Sequence, residues 1–234
     1  MKILCFDCSA GPASVAVMEN GRILSSSFVN VKLTHSQTLL PMVKSTLDAA
    51  MLSLSDIDAF AINNGPGSFT GIRIGISAVK GLALAENKPC IEVSTLYSIA
   101  QLFKNFDCVV CAAMDARCNQ VYNALFRIKE GTITRLCEDR AVMVDEVIAE
   151  LSALDEKIII SGDGAALFEG FADTHEKVSL AEEPLRYQNA CGVAFAAEEA
   201  VREGTTLSPD ALRPFYLRLP QAERELKAKQ LKGE

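Results

Sequence analysis

Histidine is nearly absent from this chain: 234 residues carry two, His35 and His175. Neither has a His, Cys, Asp or Glu four residues along a helix, since Val31, Leu39, Phe171 and Ser179 hold those places. A zinc pair of the H-E-x-x-H kind, which needs two imidazoles on one helical face, is therefore excluded. Also missing is any apolar run approaching the ~18 residues that cross a bilayer, and the first residues lack the basic, apolar and small-residue zones of a signal peptide. A cytoplasmic protein without membrane association is expected. Positive charge is in short supply too. Thirty acidic against 23 basic side chains leave a net charge of −7, so the free chain repels a phosphate backbone and any grip on RNA has to be local or borrowed.

What is present describes a folded protein, 49% hydrophobic and 23% charged, long enough for one large domain or two lobes of roughly 100 residues each. In a reducing compartment the eight cysteines read as small buried hydrophobes. Cys5-x-x-Cys8 and Cys108-x-x-Cys111 match a four-cysteine zinc site on paper. In a strand, however, positions i and i+3 face opposite sides, and a thioredoxin-type pair lacks its helix start.

Residues 2–7, 13–18 and 22–29 read as strands, the last two joined at Asn20-Gly21, a pair suited to a type I′ turn. Helical spacing runs from 36 to 51 through Leu39, Leu40, Val43 and Leu47. A strand over 57–63, a helix over 70–86, a strand over 90–93 and a helix capped by Ser94 or Thr95 and reaching about 105 follow. The order then restarts, with strands over 108–114, 120–127 and 132–137, a helix over 144–154 and a strand over 157–161. Asp7 and Asp115 end the first strand of each half, and Gly21 and Gly131 turn each hairpin. The repeated β-β-β-α-β order favours two similar α/β lobes, residues 1–105 and 106–219, over one doubly wound sheet. The helix over 188–203 is expected to pack back on the first lobe, and 220–234 to form a charged tail.

The glycine-rich segment from Asn63 to Gly75 links a strand to a helix, where free backbone N–H groups suit an anion. Gly71 is followed by Ile72 and Arg73 rather than Lys and Ser/Thr, so it is no P-loop, and Ser68 lacks the flanking glycines of a nucleophile elbow. Gly65-x-Gly67 with Glu92 imitates a dinucleotide fingerprint, but the third glycine comes one residue late and three strands precede the unit. Asp7, Ser9, Gly67, Ser68, Thr70 and Asp115 are the candidates for loops facing an anion or nucleotide. Asp7 and Asp115 read equally well as turn aspartates capping local amides, and the loop 161–165 after the second-half strand as a tight connection. Gly71, Gly75, Ala78, Gly81 and Ala85 recur at intervals of three and four, leaving a bald helical stripe. Helical glycine costs about 1 kcal/mol against alanine, so the stripe asks for a close contact, with the 36–51 helix or with another chain.

Phe6-Asp7-Cys8-Ser9, the stretch from Thr34 to Pro41, the Gly65–Gly75 motif, Met114-Asp115-Ala116-Arg117 and Tyr216-Leu217-Arg218 together resemble the TsaB (YeaZ-like) family over nearly the whole chain. The resemblance implies an α/β, actin-like/Hsp70/sugar-kinase (ASKHA) fold with two duplicated lobes. It implies a role in making threonylcarbamoyladenosine at position 37 of tRNA, as a non-catalytic scaffold and activator that heterodimerises with the TsaD transferase. It further implies recruitment of the TsaE ATPase, contact with tRNA through the complex, and a homodimer when alone. The paired metal-binding histidines of TsaD are missing, which marks a pseudoenzyme with no catalytic residue, no metal and no intrinsic cofactor, ATP or ADP entering only with the complex. The expected partner interface is a helix bundle with His35, Leu39, Leu40, Val43, Gly71, Gly75, Ala78 and Leu82. An autonomous ATP-dependent kinase or glycoprotease-like hydrolase is the alternative. Cys8, where the family usually has threonine, and Asn119-Gln120 depart from the pattern. A thiol partners phosphate less well than a hydroxyl, which argues against nucleotide in the cleft.

Overall fold

Apolar runs buried on both faces lay down β1 (Lys2–Asp7) and β2 (Ala13–Glu19), and the half-exposed β3 (Arg22–Val29) completes an antiparallel meander. Asn20 and Gly21 turn its hairpin at φ +49° and +78°, the left-handed pair a type I′ turn requires. The structure, a computed structural model, describes residues 1–31 and 33–218; the expected tail lies outside the described residues. Next come α1 (His35–Ala49), β4 (Ala59–Gly65) parallel to β1, α2 (Phe69–Glu86) and β5 (Cys90–Ser94), giving a five-stranded sheet of order β3-β2-β1-β4-β5. Ser94 caps α3 (Thr95–Gln101) by accepting from the Tyr97 amide. This helix stops short of 105.

The second half lays out β6 (Cys108–Asp115), β7 (Gln120–Lys129), β8 (Thr132–Arg135), β9 (Arg140–Met143), α4 (Val144–Ser152), β10 (Ile158–Ser161), α5 (Glu169–Ala172) and β11 (Val178–Leu180). Its sheet runs β8-β7-β6-β10-β11, with β9 also on β7. The first three are antiparallel and the last two parallel, the plan of the first sheet repeated. The strand expected over 132–137 is broken. β8 pairs with residues 126–129 and β9 with 120–123, because at the break the Leu125 amide bonds the Cys137 sulfur instead of a backbone carbonyl. Cys5 and Cys8 fall in different apolar clusters, as do Cys108 and Cys111, as strand alternation demands.

Each sheet is covered on both faces, and one cover is exchanged. α1 and α2 bury Leu4, Phe6, Val15 and Phe60 on one face of the first sheet. After α6 (Glu183–Arg186), α7 (Ala190–Arg202) returns from the far end of the sequence to cover the other face, Ile3, Cys5, Ala61 and Ile91. Conversely α3 and the turn after it, placed by sequence in the first lobe, pack Leu96, Ile99 and Phe103 on Val110, Ala112 and Phe126 of the second sheet. A boundary at 105 therefore cuts the chain but not the cores. α3 and α7 cross where a Cβ on Gly192 would stand 2.1 Å from the Ser98 carbonyl oxygen.

Beside that crossing, Glu199 of α7 accepts from Tyr97 Oη at 2.5 Å, Gln101 Nε2 at 2.7 Å and Lys104 Nζ at 2.6 Å. Burial alone opposes its charge, but the Lys104 ammonium and the two neutral donors hold its carboxyl below the ordinary range. Glu199→Ala strands three donors, so a loss of about 1.5–3 kcal/mol in urea unfolding is expected at pH 7. The depressed carboxyl stabilises the fold above the unfolded-state value. The difference between wild type and variant should therefore shrink as pH falls below about 4.

Candidate functional site

β1 and β6, the equivalent first strands of the two sheets, end at a cleft of about 410 Å³ lined by residues 9–11, 66–69, 114–117, 122, 163 and 215–218. The glycine-rich loop shapes one wall. Gly67 sits at φ +155°, and a Cβ there would lie 2.3 Å from the Ser9 carbonyl oxygen, which in turn accepts the Ser68 amide at 2.6 Å. Only glycine permits that approach. Ser68 then starts α2, its Oγ accepting from the Gly71 amide at 3.2 Å.

The two strand-end aspartates do the same local work. Asp7 Oδ1 accepts the Ser9 amide at 2.8 Å, and Asp115 Oδ1 accepts the Arg117 amide at 2.7 Å, each two residues on. Asp7 is 1% exposed; it also takes Ser9 Oγ and Asn63 Nδ2, the latter at 2.6 Å. Burial pushes its carboxyl up, against these donors and the charge of His35. Asp115 additionally meets the exposed Arg117 guanidinium at 3.1 Å.

Asp163, in the loop after β10, is the cleft's least satisfied acid. Its Oδ1 is buried without a hydrogen-bond partner among the described residues. Burial, reinforced by the nearby charge of Asp115, pushes it up to about 6, with the Asp115 amide and the Gln188 side chain opposing. A carboxyl raised on folding binds its proton more tightly in the native state. Stability from this group is thus full below about pH 4 and declines as pH rises through about 6. Asp163→Asn is expected to flatten that decline and to add about 1–3 kcal/mol at pH 7, read from urea melts at pH 4.5 and 7.

Of the candidates read from sequence, Ser9, Gly67, Ser68 and Asp115 line the cleft, whereas Asp7 and Thr70 do not. Asp7 is consumed by its own loop, and Thr70 is exposed beyond the helix start. Cys8 does not face the cleft either: its thiol packs under α2, 3.3 Å from the Cβ position of Gly75, so the contrast between thiol and hydroxyl concerns packing. Sequence reading missed Asp163 as a lining residue and missed the strap, residues 212–218, which runs from the first lobe to the second. The Phe215 amide donates to the Asn64 carbonyl at 2.8 Å, Tyr216 stacks on Phe69 with centroids 4.7 Å apart, and Arg218 donates to the Ala116 carbonyl at 3.0 Å. The interleaving of Arg213, Phe215, Tyr216 and Arg218 was the available signal.

The expected bundle interface divides. Leu39 and Val43 are buried in the first core. Gly71 and Gly75 are buried as well: a Cβ on Gly71 would meet the Cys8 carbonyl oxygen at 2.2 Å and the His35 ring at 2.9 Å, and one on Gly75 would meet Ile62 at 2.8 Å. These four serve intramolecular packing, which corrects their assignment to a partner surface. His35 is half-buried, its Nε2 2.8 Å from the Ala10 carbonyl oxygen. Ala78 and Leu82 are half-buried at the edge of the first core, Leu40 is 54% exposed, and Gly81 faces open space.

Two covered sheets of identical plan around a cleft define an actin-like α/β protein. A solved structure of component A of (R)-2-hydroxyglutaryl-CoA dehydratase from Acidaminococcus fermentans shares the fold at TM-score 0.50 and 14% identity, over 86% of this chain and 99% of that one. The family model for TsaD, tRNA N6-adenosine threonylcarbamoyltransferase, matches residues 29–226. The tRNA threonylcarbamoyladenosine biosynthesis protein TsaB of Escherichia coli (strain K12) is 34% identical over 98% of this chain and 100% of its own length. YeaZ from Pseudomonas aeruginosa superposes at TM-score 0.78 with 30% identity, over 92% of this chain and 99% of that one. The chain belongs to the TsaB (YeaZ-like) family, with a role in tRNA threonylcarbamoyladenosine biosynthesis and kinship to TsaD. No helix among the described residues is long and apolar enough to cross a membrane.

Proposed function

We propose that this chain is a non-catalytic scaffold and activator in the assembly that places threonylcarbamoyl on adenosine 37 of tRNA, pairing with a TsaD-type transferase and helping to recruit a TsaE-type ATPase in the cytoplasm. The observation that supports this most is that the two strand-end aspartates and both histidines are taken up by their own surroundings, Asp163 alone of the cleft's lining residues keeping a buried oxygen without a partner among the described residues. Asp7 is taken by Ser9 and Asn63, Asp115 by Arg117, and the two imidazoles contact the carbonyl oxygens of Ala10 and Phe171, on different lobes. Groups committed to holding loops are poorly placed to turn over substrate. The partner surface in this reading is the outer side of α1 and α2, where Leu40, Ala78, Gly81 and Leu82 remain reachable; a second copy covers it when the transferase is absent. ATP or ADP belongs to the assembly, not to the isolated chain, and the chain holds no resident metal.

Reconstitution tests the reading. The purified chain is expected to form no modified adenosine and to cleave no peptide. Added to the transferase, the ATPase, threonylcarbamoyl-adenylate and ATP, it is expected to restore modification that stops when it is omitted. Modified adenosine made without the transferase, or one zinc or iron per chain by elemental analysis, would overturn it.

A further inference from the structure

In an acidic chain many cations are expected to be neutralised by neighbours, and among the described residues nine lysine or arginine side chains pair with carboxylates within 4.0 Å. The other nine described cations make no such pair, and what sets Arg73, Lys80, Arg213 and Arg218 apart among them is that they gather along one face. Three of them converge on a shallow groove of about 510 Å³ between α2 and the strap, whose single acid is Asp210. Asp210 offers its backbone carbonyl, not its carboxylate, accepting from Lys80 Nζ at 3.4 Å and from Arg213 Nη1. The cations are thus held by backbone and aromatic groups, three positive charges against one carboxylate in the groove. Arg73 lies 3.8 Å over the Phe69 ring and donates to Tyr216 Oη at 2.9 Å, and Arg213 also donates to the Leu212 carbonyl. Phe215, 44% exposed, stands two residues from Arg213 on the cleft side of the same strap, with Arg218 beyond it.

We infer that this groove and strap form a direct contact for the phosphodiester backbone of tRNA, with Phe215 offering a face to an unstacked base. The inference rests on the assembly-subunit reading and adds to it a local grip by this chain. Fixed guanidinium and ammonium groups that outnumber the one carboxylate beside them suit successive phosphates, and the flanking aromatic suits an RNA strand better than an acidic peptide, which has no bases to stack. Net repulsion from the rest of the acidic surface limits the grip to this face, so the contact acts when the assembly already holds the RNA nearby.

The test uses the full chain with an unmodified tRNA transcript, alone at low salt and together with the transferase. Lys80→Gln with Arg213→Gln is expected to weaken tRNA binding about 3- to 10-fold and to make the slope of log affinity against log salt shallower by about 2, one for each lost phosphate contact. In the reconstituted reaction KM for tRNA should rise by the same factor with kcat unchanged. Phe215→Ala should weaken binding without altering the salt slope, and an unchanged melting temperature confirms that both variants are folded. Unchanged affinity and slope in the double variant overturn the inference, as does loss of a protein partner with tRNA binding intact, which would give the groove to an acidic protein. If omitting the chain stops modification while the double variant leaves KM unaltered, only the groove inference fails. If modification proceeds equally without the chain, the assembly reading fails, and the binding titration still decides the groove.

Discussion

Gly192→Val is expected to destabilise the protein by roughly 3 kcal/mol or more, lowering the melting temperature by about 6–12 °C. On helix propensity alone, removing a glycine from α7 should help by a few tenths to about 1 kcal/mol. The tertiary contact reverses the sign. The new Cβ would stand 2.1 Å from the Ser98 carbonyl oxygen and 3.0 Å from its carbon, and backbone cannot yield as a flexible side chain can. Opening the crossing would also strain the Glu199 contacts with Tyr97 and Gln101 of α3 and with Lys104 in the turn after it. Because α7 covers the first sheet and α3 the second, the damage should reach both cores in one transition. Thermal unfolding followed by far-ultraviolet circular dichroism checks it, and a melting temperature within about 2 °C of wild type would mean that the crossing is looser than drawn.

The repeat of strands and helix was legible because its signals are local. Short apolar runs bounded by turn residues set the strands, and Asn20-Gly21 and Glu130-Gly131 turn the hairpins with positive φ at all four residues. The equivalence of Asp7 and Asp115 extends to their hydrogen bonds, since each caps the amide two residues on. What escaped depends on distance along the chain. The Leu125 amide that Cys137 engages at the break between β8 and β9 lies twelve residues away. The strap has no periodicity, and the exchange of α3 and α7 joins cores that sequence order separates. The bald stripe shows the limit most plainly. Small residues at helical spacing announce a close approach without naming the approaching group, which for Gly71 is the backbone after β1 and for Gly75 is Ile62 of β4 with Cys8 beside it, all in the same chain.

The outward end of the stripe leads to the second large expected effect, a loss of partner affinity of roughly 5- to 150-fold in Gly81→Phe, the equivalent of about 1–3 kcal/mol of overpacking at a tight helix contact. Gly81 is the informative position because a Cβ there meets nothing within 4 Å. The fold of the single chain should therefore tolerate the ring, and its melting temperature should hold or rise when measured dilute enough that no second copy covers the face. Gly81→Ala supplies the control, expected to raise stability by about 0.5–1 kcal/mol through helix propensity and the less flexible unfolded chain. Ala78→Phe mixes two effects, since Ala78 is half-buried against the first core, so a drop in melting temperature accompanies any change in association. Measured together by calorimetric titration with the TsaD-type transferase, the set separates folding from binding. If α1 and α2 form the shared bundle, Gly81→Phe weakens binding with folding intact, while Gly81→Ala, which adds only a methyl group, stays within a few fold of wild type. Full affinity in Gly81→Phe would move the partner off this face and leave the small residues of α2 to the internal contacts that Gly71 and Gly75 already make.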